Sequence, residues 1–421
     1  MDASRETELN ELDFQKGLPA GGVLHRPANL LAVDGTFPVA AMRRSAIRHN
    51  LDWMVRYCAK QGIAFAPHGK TPMIPATFHW QMNAGAFAIS LADMRQVRVA
   101  VAAGIQSILL ANEVIGAADI AELIDILITR PGVTFYCLVD SVEGVRRLGS
   151  AARTRGLGRP IEVLLEGGMP GGRCGVRSVE AGRVVLAELA YWPELHLRGI
   201  EGYEGVIKPS DDNAQTAVAN YIDFLSALAR EAEVTGLFDG GEILLSAGGT
   251  KFHDIVVDRF KSAGLRSPSI IVIRSGCYLF HDHGIYAAAF NDMVARSAAA
   301  LHAGVLQPAL EVWAQVLSRP EEGIVILNAG KRDCPYDAGM PTVLKAFRPE
   351  SETWLGDVTD HAVFALHDQH GYVRVPPSSP LQVGDLVGLG ISHPCTLFDK
   401  WRTVLEIDDD YNILDVHETH F

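Results

Sequence analysis

Between about residues 45 and 300 the chain alternates short apolar runs, rich in β-branched residues, with longer stretches of helical period. Eight runs carry strand character: Ile63 to Ala66, Ala86 to Ser90, Ser107 to Ala111, Thr134 to Val139, Ile161 to Leu165, Leu197 to Glu201, Glu242 to Ser246 and Ile270 to Ile273. Amphipathic segments such as Met94 to Ala103, Val142 to Arg155 and Asn220 to Ala232 lie between them, each long enough for a helix. Repeated βα units of this kind predict an α/β fold, a (β/α)8 TIM-type barrel over 45–300. After residue 300 the helical period nearly vanishes. Leu310 to Leu317, Gly323 to Asn328, Tyr372 to Val375, Asp385 to Leu389 and Thr403 to Ile407 read as strands separated by Gly, Pro and Asp turns. They predict a second, C-terminal antiparallel β domain over 301–421, joined by residues 25–44 through a strand-like segment from Asn29 to Val39. Residues 1–24 form an N-terminal extension.

Composition narrows the class of partner. Apolar residues make up 48% of the 421 and charged residues 21%, enough for two packed cores. The net charge of -13 is spread along the chain with no basic, aromatic-interleaved run, so nucleic acid is not expected as a partner. Any anionic ligand must therefore be captured by a local cationic or backbone-amide site. The acidic, polar start lacks the pattern of a secretory signal, and no apolar stretch approaches the roughly 20 residues of a membrane span. Six cysteines scattered over such a chain read as reduced thiols, which gives a cytoplasmic expectation and no membrane.

In a (β/α)8 barrel the chemistry lies at the C-terminal ends of the strands. The first strand ends in Pro67-His68-Gly69-Lys70-Thr71, and the fifth runs into Glu166 and then Arg173. The sixth ends at Tyr203-Glu204, the seventh in Ser246-Ala247-Gly248-Gly249-Thr250, the eighth in Arg274-Ser275-Gly276-Cys277-Tyr278. A lysine projecting into a partly desolvated mouth can form a Schiff base, although a surface loop lysine gives the same local sequence. The small-residue loops after strands seven and eight suit a phosphate, because glycine leaves backbone N–H groups accessible; tight turns that merely close the barrel are the plainer reading of either alone. An amine and a phosphate cradle at one mouth are the two anchors of pyridoxal phosphate. In the second domain, His393 and Cys395 stand two apart, which on an extended chain puts both side chains on one face as a chelate for a divalent ion; a metal-free core pair gives the same pattern.

The ordered motifs PHGKT, GAFAISLADM, SILLANEV, GGRCGV, GYEG, SAGGT, RSGCY and SHPCTLFD resemble the D-serine dehydratase and D-threonine aldolase family, fold-type III pyridoxal-phosphate enzymes related to alanine racemase. The resemblance runs from about residue 25 to the C-terminus. It implies that Lys70 is the Schiff-base lysine and α-proton base, that Arg173 faces the pyridine nitrogen, and that Tyr203 lies beside the ring. It implies also that Gly248, Gly249, Thr250, Gly276, Cys277 and Tyr278 hold the phosphate and that His393 and Cys395 bind the metal. Cysteine, the softer donor, favours Zn2+. In the family the aldolases typically carry aspartate at this second ligand and the dehydratases cysteine, so Cys395 leans toward dehydration.

The expected activity is thus a lyase that dehydrates a D-β-hydroxy amino acid, D-serine giving pyruvate and ammonia. An aldolase yielding glycine and an aldehyde, an amino-acid racemase using Tyr336 or Tyr372 as its second base, and a non-catalytic cofactor-carrying protein remain as alternatives. His68 is a candidate proton relay or simply a packed loop histidine. Residues 70 and 393 are expected to converge on one bound cofactor in a homodimer. Two departures mark this chain: Glu166 stands where many relatives have aspartate, and the segment from Lys331 to Gly339 carries several polar groups of its own.

Overall fold

A computed structural model describes residues 16, 28–32, 36–208, 213–238 and 241–421. The extension expected over 1–24 lies, apart from Lys16, outside the described residues. Two compact units emerge. One comprises Leu51–Tyr278 with Ala289–Val305; the other comprises the described residues up to Asn50, Leu279–Ala288 and Leu306–Phe421. No helix among the described residues is long and apolar enough to cross a membrane.

The chain enters regular structure in β1 (Val39–Arg43) and α1 (Arg44–Gln61). The expected Asn29 to Val39 strand is displaced: Asn29 forms only an isolated bridge to Asn412, and the strand begins after Pro38. Proline cannot donate to a ladder, so pairing starts beyond it.

All eight anticipated barrel strands are present: β2 (Ala64–Phe65), β3 (Ile89–Leu91), β4 (Ser107–Glu113), β5 (Thr134–Val139), β6 (Ile161–Gly167), β7 (Leu195–Gly202), β8 (Ile243–Ala247) and β9 (Ser269–Ile273). They pair in parallel in the order β2-β9-β8-β7-β6-β5-β4-β3. The two ends of that row are stitched together. Phe87 N–H donates to Phe65 O at 2.8 Å, Ser90 N–H to Pro67 O at 2.9 Å, and Gly69 N–H to Ser90 O at 2.7 Å. These bonds close the barrel beside the loop that carries Lys70 without needing a long β2.

Helices alternate with the strands: α2 (Pro75–Asn83), α3 (Met94–Ala102), α4 (Ala117–Thr129), α5 (Val142–Arg155), α6 (Val179–Leu189), α7 (Ala214–Val234) and α8 (His253–Lys261), followed by α9 (Ile285–Arg296) and α10 (Ala298–Ala303). Local chemistry sets their starts. Asp93, Ser141 and Ser178 each accept a backbone N–H of the first turn, and α5 ends on Gly156 in the left-handed region. Inside, Ala66, Ala88, Leu109, Leu138, Leu164, Leu244 and Val272 fill the barrel as a packed core rather than a pore.

The second unit is built on β10 (Leu310–Glu321), β11 (Ile324–Leu327), β12 (Thr342–Arg348), β13 (Thr353–Trp354), β14 (Ala362–Leu366), β15 (Gly371–Arg374), β16 (Leu386–Gly390), the short α11 (Pro394–Phe398), β17 (Thr403–Ile407) and β18 (Ile413–Glu418). Its sheet runs β11-β15-β14-β12-β16-β10-β1-β17-β18, and a further pairing of β11 with the far half of β10 closes six strands into a ring. Pairing is antiparallel throughout except β1 with β17. The fully buried Trp313 anchors the core, its ring edge-on to Tyr411 with centroids 5.2 Å apart and its indole N–H on Glu311 at 2.8 Å. A parallel eight-stranded barrel and a C-terminal, mainly antiparallel β domain are the expected architecture.

Candidate active site

The mouth of the barrel holds a cavity whose wall includes His68, Lys70, Arg173, Tyr203, Gly249 and Arg274, together with Glu166 and Glu201. Five of these, His68, Lys70, Arg173, Tyr203 and Gly249, are residues the sequence singled out, drawn from four loops spread over about 180 positions of the chain. Glycine makes the convergence possible. A Cβ on Gly69 would stand 2.7 Å from Phe78 Cε1, so only glycine fits between His68 and Lys70. A Cβ on Gly276 would meet His68 O at 2.7 Å and Thr71 Oγ1 at 2.9 Å, which packs the eighth loop directly on the first. Thr250 and Ser275 hydroxyls, 2.9 Å apart, tie the seventh loop to the eighth.

The predicted phosphate residues divide. Gly248, at φ +89°, adopts a conformation that favours glycine, and its N–H donates to Glu204 Oε2 at 3.0 Å; the Gly249 N–H donates to Glu204 Oε1 at 2.7 Å. Two amides aimed at one buried carboxylate form an anion site, but the chain's own Glu204 fills it. These two glycines therefore require Glu204 to move before they can hold a phosphate. The Cys277 thiol lies 3.9 Å from Thr71 Oγ1. The Tyr278 ring is fully buried and its hydroxyl donates to Gln81 at 3.0 Å, so this residue can meet a phosphate only through its backbone.

Arg274, which the sequence reading did not assign, is the buried cation of the mouth. It ion-pairs with Glu201 and donates through its second terminal nitrogen to Gly202 O at 2.7 Å. Its signal was its place at the end of the eighth strand, where a charged residue in an otherwise apolar run needs a partner. Arg173 lies over the Tyr203 ring, 4.5 Å from guanidinium carbon to centroid. Desolvation, then the cations Lys70, Arg274 and Arg173, hold His68 well below the ordinary histidine range, so the imidazole is neutral at physiological pH.

An acidic cluster lies at the C-terminal ends of β4, β5 and β6. Glu113, Asp140, Glu166 and Cys174 bring donor atoms within 4.8 Å of one another. Burial, then Glu201, pushes the Glu166 carboxyl far above its ordinary range, with a hydrogen bond to Glu113 acting in the same direction; burial and Glu113 raise the Cys174 thiol to about 11. Glu166 is consequently protonated. Folded protein keeps a proton there that an unfolded chain loses above the usual carboxyl range, so the group costs stability increasingly as pH rises. Glu166→Gln is expected to raise the melting temperature more at about pH 8 than at about pH 5. Equal shifts at both values would refute the protonated state.

Three cations, an aromatic face, amides already binding an anionic oxygen, and atoms such as His68 Nδ1 and Arg274 Nε without hydrogen-bond partners among the described residues suit an anionic aromatic cofactor. The mouth fits pyridoxal phosphate.

In the other unit, His393 and Cys395 do come together, though by a different route from the one expected. His393 is extended, but Pro394 begins α11 and Cys395 sits in its first turn, so the pair straddles a helix start rather than sharing one face of a strand. Proline at the first helical position explains the change. The imidazole hydrogen-bonds both Cys395 and Asp337, and these partners outweigh desolvation to raise its pKa to about 9. Thiol and imidazole side by side are a suitable donor pair for Zn2+.

A parallel barrel with a lysine in its mouth, followed by a β domain, defines the alanine racemase-like class of fold, and an alanine racemase-like protein from Idiomarina loihiensis shares it. The model of the putative serine dehydratase domain matches residues 309–407. D-threonine aldolase from Arthrobacter sp is 27% identical over 367 residues, 86% of each chain. The structure of D-threonine aldolase from Filomicrobium marinum superposes with a TM-score of 0.77 at 23% identity, covering 94% of this chain and 98% of that one. For D-threo-3-hydroxyaspartate dehydratase from Delftia sp. HT23 the TM-score is 0.70 at 19% identity, covering 93% and 98%. Further structures of that dehydratase carry a histidine-to-alanine change and, two positions on, a cysteine-to-alanine change in the metal-free form. Together with the fold, these matches fit the fold-type III pyridoxal-phosphate family that the motifs resemble.

Proposed function

We propose that this chain is a pyridoxal-phosphate- and metal-dependent lyase that eliminates water from a D-β-hydroxy amino acid to give an enamine, whose imine tautomer then takes up water and releases ammonia, leaving a keto acid. The observation that carries the reading is Lys70, held by Gly69 in a cavity shared with Arg173, Arg274 and neutral His68. When bound, the cofactor supplies an electron sink for the α carbon and a divalent ion at His393 and Cys395 supplies a Lewis acid for the β-hydroxyl.

The chain's own groups do the rest. Lys70 Nζ anchors the cofactor and takes the α proton. Arg173, over Tyr203, and Arg274, locked to Glu201, would hold the anionic and ring groups of the cofactor, with Arg173 the residue expected at the pyridine nitrogen. Neutral His68, beside Lys70, adds no positive charge to the mouth and offers the lysine a hydrogen-bonding neighbour rather than a competing base. Protonated Glu166 offers a hydrogen bond without adding negative charge to the mouth.

The His-x-Cys spacing favours dehydration, since the metal-free dehydratase structure altered a cysteine two positions beyond a histidine. The aldolase reading draws on the D-threonine aldolase relatives. D-Serine, D-threonine and D-3-hydroxyaspartate, incubated separately with holoenzyme, separate the two. Ammonia with keto acid is expected; glycine with an aldehyde would reject dehydration, and interconversion of isomers alone would reject any lyase.

A further inference from the structure

We propose that Asp337 is the positioning residue of the metal site, fixing the tautomer and orientation of His393 so that Nε2, beside the Cys395 thiol, is presented to a divalent cation. The inference rests on the metal reading of His393 and Cys395 and extends it to a residue 56 positions upstream of the histidine, in the polar segment that sets this sequence apart.

Asp337 Oδ2 lies 2.6 Å from His393 Nδ1. The Thr396 hydroxyl donates to the other oxygen of the same carboxyl, so Asp337 acts here as an acceptor towards both neighbours. Nδ1 therefore carries the hydrogen. With the Nδ1 hydrogen held by Asp337, a metal that takes the place of the imidazole's other proton meets the lone pair of Nε2. The carboxylate is itself fixed, because its other oxygen accepts the Thr396 hydroxyl at 2.7 Å. Thr396 follows Cys395 in α11, so one aspartate ties the residue before the helix to the turn that carries the thiol. The Tyr286 ring meets the imidazole edge-on, centroids 6.0 Å apart, which limits its rotation.

A plain histidine–aspartate surface pair is the competing account, and it makes the opposite prediction for metal. The Asp337 side chain is 45% exposed, so its truncation should spare the fold. The experiment strips the metal from full-length holoenzyme and titrates Zn2+ against a chromophoric chelator in the native protein, Asp337→Ala, Asp337→Asn and His393→Ala. Asp337→Ala is expected to weaken Zn2+ binding by about 10- to 100-fold with unchanged stoichiometry and unchanged visible absorbance of the lysine-bound cofactor. Asp337→Asn, whose amide oxygen still accepts from Nδ1, should recover much of that loss. An Asp337→Ala affinity within about twofold of native, with His393→Ala impaired, overturns the positioning role alone. If His393→Ala also binds Zn2+ like the native protein, the metal reading falls and takes the inference with it.

Discussion

Replacing Lys70 by alanine is expected to abolish the visible absorbance of the lysine-bound cofactor and to lower turnover on the order of 10^4-fold or more, since the side chain is both anchor and base. No neighbour can take over. His68 is adjacent, but burial and three surrounding cations hold its pKa down, so it is a poor base, and an imidazole cannot reproduce the covalent anchor. Arg173 and Arg274 remain charged and cannot act as nucleophiles. The loop around the change is set by Gly69 and by the barrel seam from Phe65 to Ser90, not by the lysine amine, so the variant should fold. Absorbance spectra of purified protein loaded with pyridoxal phosphate give the answer. A Lys70→Ala protein that keeps the native spectrum would remove the cofactor from the barrel mouth and the proposed chemistry with it.

The barrel was legible because its strands are buried on both faces. Runs such as Ile270 to Ile273 are continuously apolar, and period and length together then mark a parallel strand. The β domain was legible only in part. In β12 a lysine, Lys345, interrupts the pattern because its ammonium reaches the Tyr411 hydroxyl at 2.7 Å, and β14 and β18 mix exposed with buried positions. Strands that face solvent on one side and carry charge in their middle give little signal to periodicity. Among the site residues, Lys70, Arg173 and Tyr203 were visible as motif residues at strand ends. Arg274 and Glu204 escaped because their roles depend on partners, Glu201 and the two glycine amides, that lie 73 and more than 40 positions away. Sequence spacing carries no trace of such pairings.

Glu204 changes how cofactor entry should be pictured. A carboxylate on the Gly248 and Gly249 amides satisfies two donors that would otherwise stand unpaired in a buried loop. Any phosphate arriving there competes with a tethered anion, and repulsion between the two opposes binding until the side chain turns away.

Removing the metal should separate cofactor chemistry from elimination. Treatment with a strong chelator, or His393→Ala or Cys395→Ala, is expected to leave the visible spectrum intact while lowering keto-acid formation on the order of 10^3-fold, the equivalent of roughly 4 kcal/mol of leaving-group stabilisation. The reasoning follows from where the donors sit. His393 and Cys395 belong to a different compact unit from Lys70, so their truncation should not disturb the loops that hold the cofactor. Cys395→Asp adds a finer test, because exchanging thiolate for carboxylate should shift the metal preference from Zn2+ toward Mn2+ or Mg2+. Stopped assays with a keto-acid readout, run before and after restoring each metal, measure both effects. If chelation leaves elimination at its native rate, hydroxide departs without metal help, and protonated Glu166 in the barrel mouth becomes the group to examine as the acid.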